Sequence, residues 1–276
     1  IPATSRTARG IPIIQMLPVS QSEKITSMIA VSEFTEDEYL IMLTRKGNIK
    51  KTALSAFANI RSNGLIAISL QDEDELRWVR LATNEDSVII GTRKGMAIHF
   101  KTNSQQLRPL GRSTKGVKSM KLKGDDELIS MDIIPSQIVA TIDTSVDDED
   151  EDDSGEELID EAVDQGPWLL AITKNGYGKR VPIGKFRLQN RAGMGVRAIK
   201  FKSKDDRLVA IDIVNLEDEL MIVTNRGIMI RQAVKAISLQ SRNATGVRVQ
   251  RLDKDDAIAA VAPVPPLEEE GEETEE

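Results

Sequence analysis

SVIIGTRKGMAIHFK, residues 87–101, is two short β-branched and apolar runs on either side of a Thr-Arg-Lys-Gly turn. Such a pattern reads as an antiparallel hairpin, with Gly95 free to adopt the positive φ that a tight turn demands. The same Thr-x-x-Gly element recurs as TRKG at residues 44–47, TKNG at 173–176 and TNRG at 224–227. Between the hairpins lies a second repeated element, an arginine followed three or four residues later by a glycine and an extended apolar run. Its copies are Arg6/Gly10, Arg61/Gly64, Arg112/Gly116, Arg191/Gly195 and Arg242/Gly246. Successive box glycines lie 54, 52, 79 and 51 residues apart and successive hairpin glycines 48, 81 and 51. A single unit of about fifty residues is therefore repeated, and one copy carries an insertion.

In the second unit, residues 65–70, 76–81, 87–92 and 96–101 are four short runs separated by turn residues, which predicts four strands per unit. An acidic turn sits between the first and second strands of each unit: residues 72–74, 124–126, 204–206 and 254–256. No amphipathic helix of ordinary length is visible. The expected class is all-β, a propeller-like array of four-stranded blades with about five repeat units and an incomplete N-terminal blade. Periodicity leaves open whether a hairpin pairs within its own unit or with the next, and whether the ring closes.

The chain has 276 residues, 40% apolar content, 3% aromatics and no cysteine, so its core is aliphatic and thiolate metal sites and disulfides are excluded. It lacks a stretch of eighteen apolar residues. The formal charge of −7 is misleading because the acid is segregated. Residues 147–164 hold twelve carboxylates without a base and residues 268–276 hold seven more; removing these nineteen from the 44 acidic residues leaves 25 against 37 Lys and Arg. The repeats themselves are basic. The expected organisation is a repeat domain over residues 1–266, interrupted by a disordered acidic insertion at 143–166, and a disordered acidic tail at 267–276. Since the chain begins at Ile1 inside a repeat, it reads as a fragment of something longer.

Catalytic chemistry is poorly supplied. His99, the sole histidine, alternates with apolar neighbours and reads as a packed or rim strand residue rather than a base; no phosphate loop or His-x-x-x-His pair is present. Cations, by contrast, recur at equivalent places. The hairpins carry Arg45, Lys46, Lys50 and Lys51, then Arg93 and Lys94, then Lys174, Lys179 and Arg180, then Arg226 and Arg231. The boxes carry Arg112, Lys115, Lys118, Lys121 and Lys123, then Arg191, Arg197, Lys200 and Lys202, then Arg242, Arg248 and Arg251. One unit alone would suggest ordinary solvent-facing Lys and Arg that guard strand edges. Recurrence over four or five units, on a basic body, points to a polyanion track. With Tyr39, Tyr177, Trp78 and Trp168 the only Tyr and Trp, phosphate contact on a duplex is favoured over base stacking on single strands. The acidic runs would either compete with that polyanion or serve as plain solubilising segments.

Four segments carry a resemblance: ARGIPIIQMLP (8–18), TRKGNIKKT (44–52), TKNGYGKR (173–180) and SRNATGVRVQRL (241–252). They resemble the C-terminal repeats of the DNA gyrase A family, within the type IIA topoisomerases, and the resemblance covers nearly the whole chain apart from the acidic runs. It implies a β-pinwheel with hairpins exchanged between blades, and a rim that wraps duplex DNA so that the holoenzyme introduces negative supercoils. It also implies a cytoplasmic, nucleoid-associated setting (a plastid if the source is a plant) and, as partners, the rest of gyrase A together with gyrase B. No membrane partner is expected, and the isolated domain is expected to be monomeric. This chain alone would neither cut DNA nor use a cofactor, ATP and Mg2+ being used elsewhere in the holoenzyme. The family's Q-R-R-G-G-K-G box is not found; QNRAGMG at 189–195 keeps part of it without the lysine. Rival readings are a protein-interaction propeller and the related C-terminal domain of topoisomerase IV.

Overall fold

Each Thr-x-x-Gly turn closes through its own threonine and glycine. In the computed structural model the glycine N–H donates to the threonine carbonyl at 2.9–3.1 Å in all four turns. In the first three, the threonine hydroxyl accepts the next amide, that of Asn48, Met96 or Tyr177, at 3.1–3.2 Å. The four glycines sit at φ between +81° and +89°, a conformation that a Cβ would strain.

The structure describes residues 10–12, 15, 23–61, 63–139 and 166–264. The acidic run 147–164, the acidic tail and most of the first box lie outside these residues. The first hairpin is β1 (Tyr39–Thr44) and β2 (Asn48–Ala53), followed by β3 (Leu76–Ala82). The second is β4 (Ser87–Thr92) and β5 (Met96–Lys101), followed by β6 (Val117–Lys118) and β7 (Leu128–Ile134). The third is β8 (Trp168–Thr173) and β9 (Tyr177–Pro182), followed by β10 (Val196–Arg197) and β11 (Leu208–Val214). The fourth is β12 (Glu219–Thr224) and β13 (Met229–Ala233), followed by β14 (Val247–Arg248) and β15 (Ile258–Val264). The hairpins match the sequence reading. The box does not become a full strand: residues 65–70 form no strand, and later boxes contribute only two paired residues each.

Among the described residues these strands form three four-stranded sheets, β3-β1-β2-β6, β7-β4-β5-β10 and β11-β8-β9-β14, and one three-stranded sheet, β13-β12-β15. Every pairing between strands is antiparallel. This strand order settles the pairing that periodicity leaves open. Each hairpin takes its inner partner from the following unit, and the first three take an outer partner from the box of the unit after that, so three successive units are woven into each four-stranded blade. The inner strands β3, β7, β11 and β15 pack against one another in turn, leaving the box strands at the outer edge.

Blades stack face to face, so both faces of the first three hairpins are buried, whereas the fourth is covered on one face. Val88 and Ile90 face the first blade in a core with Ile41, Leu43 and Ile49, whereas Ile89 faces the third with Leu169 and Ala171. Leu170 and Ile172 in turn pack against Leu220 and Ile222 of the fourth blade. Simple inward-outward alternation is therefore lost in the strands of the first three hairpins, much as it is in a sheet covered on both sides, while β12 of the fourth retains it.

Candidate nucleic-acid interface

Double-sided burial decides which cations reach solvent. Lys50, Lys51, Lys179 and Arg180, expected on the outer surface, are fully buried. Lys50 Nζ donates to the Ala67 carbonyl at 2.5 Å and to that of Arg112. Lys179 Nζ donates to the carbonyls of Ser241, Arg242 and Ala244 at 2.6–2.8 Å. Lys51 Nζ reaches Asn84 Oδ1 and the Thr102 carbonyl, 4.3 Å above the Tyr39 ring. Arg180 Nε reaches the Ile237 carbonyl and its guanidinium lies 4.9 Å from the Trp168 ring. Burial pulls Lys50 and Lys51 down to about 8, and burial with the nearby Arg242 pulls Lys179 to about 7. These four residues satisfy polar groups inside the protein and do not reach its outer surface. Part of the signal was in the sequence: at the position of Lys50 and Lys179, three residues past the hairpin glycine, the other units place Ile98 and Ile230, whereas the next position, that of Lys51 and Arg180, holds His99 in the second unit and the exposed Arg231 in the fourth.

His99 occupies the position of Lys51 and Arg180. It is buried, with Nδ1 2.7 Å from the Phe186 carbonyl and Nε2 2.7 Å from Ser87 Oγ. A carbonyl can only accept, so Nδ1–H donates to Phe186 and Nε2 accepts the Ser87 hydroxyl. Burial lowers its pKa against the opposing Phe186 bond. It is a structural imidazole, as the strand pattern indicated.

Most hairpin-tip cations are held beside acids of the following turn. Arg45 pairs with Glu75 at 3.3 Å, Arg93 with Glu127 at 3.1 Å and Lys94 with Asp125, while Arg231, away from the tip on β13, pairs with Glu219 of the adjacent strand β12. Lys46 Nζ donates to the Asp72 carbonyl at 2.8 Å. The Lys94 hydrogen bond holds the Asp125 carboxyl below its ordinary range. The acidic turns also have a capping role that sequence reading missed. Asp74, Asp126, Asp206 and Asp256 accept the amides of Lys46, Lys94, Asn175 and Arg226 at 2.9–3.2 Å, clamping each turn from the side. Lys174 and Arg226 remain exposed at their tips, the latter beside Asp256.

Arg112, Arg191 and Arg242 are half-buried and Arg61 is exposed, and the side chains of Arg191 and Arg242 tie their boxes to earlier segments. Arg191 donates to the carbonyls of Gln106 at 2.7 Å and Lys118 at 2.6 Å, and Arg242 donates to that of Arg197 at 3.3 Å. Arg112 is half-buried, lining a cleft with Glu23, Arg61 and Ile66.

The outer edge itself is different. Lys118, Arg197 and Arg248 are the exposed second residues of β6, β10 and β14, each two residues past a box glycine. Three residues further on stand Lys121, Lys200 and Arg251, also exposed, with Lys115 ahead of Gly116. The side chains of Lys115, Lys118, Lys121, Arg197, Lys200 and Arg251 make no hydrogen bond or ion pair among the described residues. Backbone bonds lace the boxes together: Lys121 N–H donates to Gly193 at 2.8 Å, Ala192 N–H to Ser119 at 2.8 Å, and Lys200 N–H to Ala244 at 3.2 Å. Cations at matching positions thus follow one another along three blades. In the second box the same two positions are Ile66 and Ser69, so the charge stops there.

Sequence comparison reports on the same architecture. The family described as DNA gyrase C-terminal domain, beta-propeller, matches residues 1–32, 38–83, 86–135, 167–215 and 218–265. Over 98% of its length the chain is 67% identical to the DNA gyrase A protein of Synechocystis sp. and 41% identical to the chloroplastic/mitochondrial DNA gyrase A protein of Arabidopsis thaliana. It spans 32% and 28% of those relatives, so about a third of their length. Among solved structures, a DNA gyrase A C-terminal domain superposes with a TM-score of 0.69 at 25% identity, covering 93% of this chain and 75% of that one. The C-terminal domain of DNA topoisomerase IV superposes with a TM-score of 0.75 over 93% of this chain and 71% of that one, but at 22% identity it speaks for the fold alone. Repeat order, blade weaving and these similarities agree: the chain belongs to the DNA gyrase C-terminal domain family.

Proposed function

We propose that this chain binds duplex DNA along the outer edges of its blades and bends it, acting as the wrapping module of a gyrase whose remaining parts cut and pass strands. The observation that carries the reading is the recurrence of exposed cations without ion-pair partners at two matched positions on three laced box segments. Phosphates of a curved duplex present negative charge at regular intervals, and a curved row of cations answers them without reading bases. Contact energy offsets a bending cost of about 1–6 kcal/mol for a strongly bent site of 20–30 bp. ATP and Mg2+ belong in this reading to the rest of gyrase A and to gyrase B. The acidic runs at 147–164 and 268–276 act as internal polyanions that compete for the same cations.

Ligation of a nicked circle in the presence of the chain tests the proposal directly. Constrained positive writhe after ligation is the expected result, increasing when residues 147–164 are deleted. Relaxed circles at saturating protein, or duplex affinity indifferent to salt, would refute it.

A further inference from the structure

One cation of the track differs from the rest in being held. Tyr177 follows the hairpin glycine of the third blade, where the other blades have Asn48, Met96 and Ile228. Arg248 Nη2, from the fifth box, donates to Tyr177 Oη at 3.0 Å, and its guanidinium carbon lies 5.5 Å from the ring centroid. Lys202, from the end of the fourth box, places Nζ 5.1 Å from the same centroid. Two cations from different boxes are thus drawn to one aromatic ring, and neither has a carboxylate as an ion-pair partner among the described residues. Both border a cleft of about 420 Å³ together with Asn175, Ser203 and Leu252. The two acids that also border it, Asp206 and Asp256, use Oδ1 on backbone amides of the neighbouring turns.

Resting on the duplex reading above, we infer that Tyr177 is a positioning residue that gathers Arg248 and Lys202 into a seat for a single backbone phosphate. Bringing two like charges to one ring is unfavourable by itself; the quadrupole of the aromatic face and the phenol oxygen offset part of that cost. An anion with oxygens on several sides completes it. A guanidinium fork and an ammonium are complementary donors to one phosphate. Elsewhere on the track, Lys118, Lys121, Arg197 and Lys200 are held by no side chain, so this seat would fix the register of the duplex while they follow it.

Salt-dependent binding of a short duplex to the full chain tests the inference, because each neutralised phosphate contributes about 0.9 to the slope of log K against log salt. Arg248→Ala and Lys202→Ala should each weaken binding while leaving the slope nearly unchanged, since the remaining cation still neutralises the shared phosphate, and the double variant should lower the slope by ~0.9. Tyr177→Ala should weaken binding in the otherwise unchanged chain and have no effect in the double variant, where there is nothing left to position. Melting curves of all variants confirm folding, and Tyr177→Phe, which keeps the ring, should weaken binding less than Tyr177→Ala. Single variants that each lower the slope by about 0.9, with a double variant losing about twice that, would show two separate phosphates and overturn the seat. So would a Tyr177→Ala effect of equal size with and without the two cations. If the unaltered chain shows no salt dependence, the duplex reading fails and the seat with it; the other two outcomes overturn the seat alone.

Discussion

A lysine ammonium surrounded by three backbone carbonyls serves the fold, whatever its charge suggests about ligands. Lys179→Ala would leave the carbonyls of Ser241, Arg242 and Ala244 without their buried donor. The expected loss is about 3 kcal/mol of stability, read as a fall in Tm. Lys118→Ala at the exposed edge should leave Tm nearly unchanged and lower the salt slope of duplex binding by about 0.9; equal effects of the two substitutions on Tm would contradict the assignment. Both lysines look alike in a list of basic residues. What separates them is the face each strand presents, and burial of both faces between blades erased the alternation from which exposure is usually read. The inner strands carry a second residue-scale consequence. Arg80, Asp132 and Asp212 sit at the same register on β3, β7 and β11, paired with Ile41, Ile89 and Leu170. Arg80 bonds Asp132 at 3.3 Å, and burial together with the Asp132 charge raises Asp212 to about 6, the Arg80 charge opposing. With its folded pKa above the ordinary value, the native state holds this proton more tightly than the unfolded chain. Stability from this group therefore falls as pH rises from about 4 through 6. Asp212→Asn should raise Tm at pH 7.5, by the equivalent of about 1–3 kcal/mol, with the gain shrinking toward pH 5. A gain independent of pH would refute the assignment.

At the scale of the element, the hairpin and the box differ in how plainly the sequence declares them. Thr-x-x-Gly flanked by β-branched runs declares a hairpin through local chemistry alone, and the strand bounds Ser87–Thr92 and Met96–Lys101 coincide with that reading. The box is extended mainly because something distant pairs with it: Val196 and Arg197 lie opposite Ala97 and Met96, about a hundred residues earlier. No local propensity encodes such a partner, so the run looks like a longer strand than it is. The turn glycines measure whether the partner has arrived. A Cβ on Gly176 would collide with the Gln250 carbonyl of the fifth box, whereas one on Gly227, at similar φ, would meet nothing within 4 Å. Gly227→Ala should cost only the conformational strain, about 1–2 kcal/mol. Gly176→Ala should cost at least about 2 kcal/mol more, because the box strand must retreat. Chemical denaturation of the two variants checks the difference, and equal costs would show that the fourth hairpin is covered as the third is.

Across the whole molecule the cationic edge is an arc with a definite end. Boxes three to five each place basic residues two and five positions past the glycine, and the second box places Ile66, which is 70% exposed, and Ser69 there. Ile66→Lys should extend the arc and raise the salt slope of duplex binding by about 0.9; a slope that stays constant would mean the duplex never reaches this blade. Ile25, Met28 and Ile60 are exposed as well. The weaving of units has a further effect. The second blade takes β4, β5 and β7 from before the acidic run and β10 from after it, while β7 packs on β11 and a shared core joins Ile89 to Leu169. This packing across the run predicts that covalent continuity through residues 147–164 is dispensable once folding is complete. A protease site inserted there should yield two polypeptides that migrate as one particle in native gel filtration and part only in denaturant, so the protein can be severed and still hold its shape like a knotted net with one cord cut.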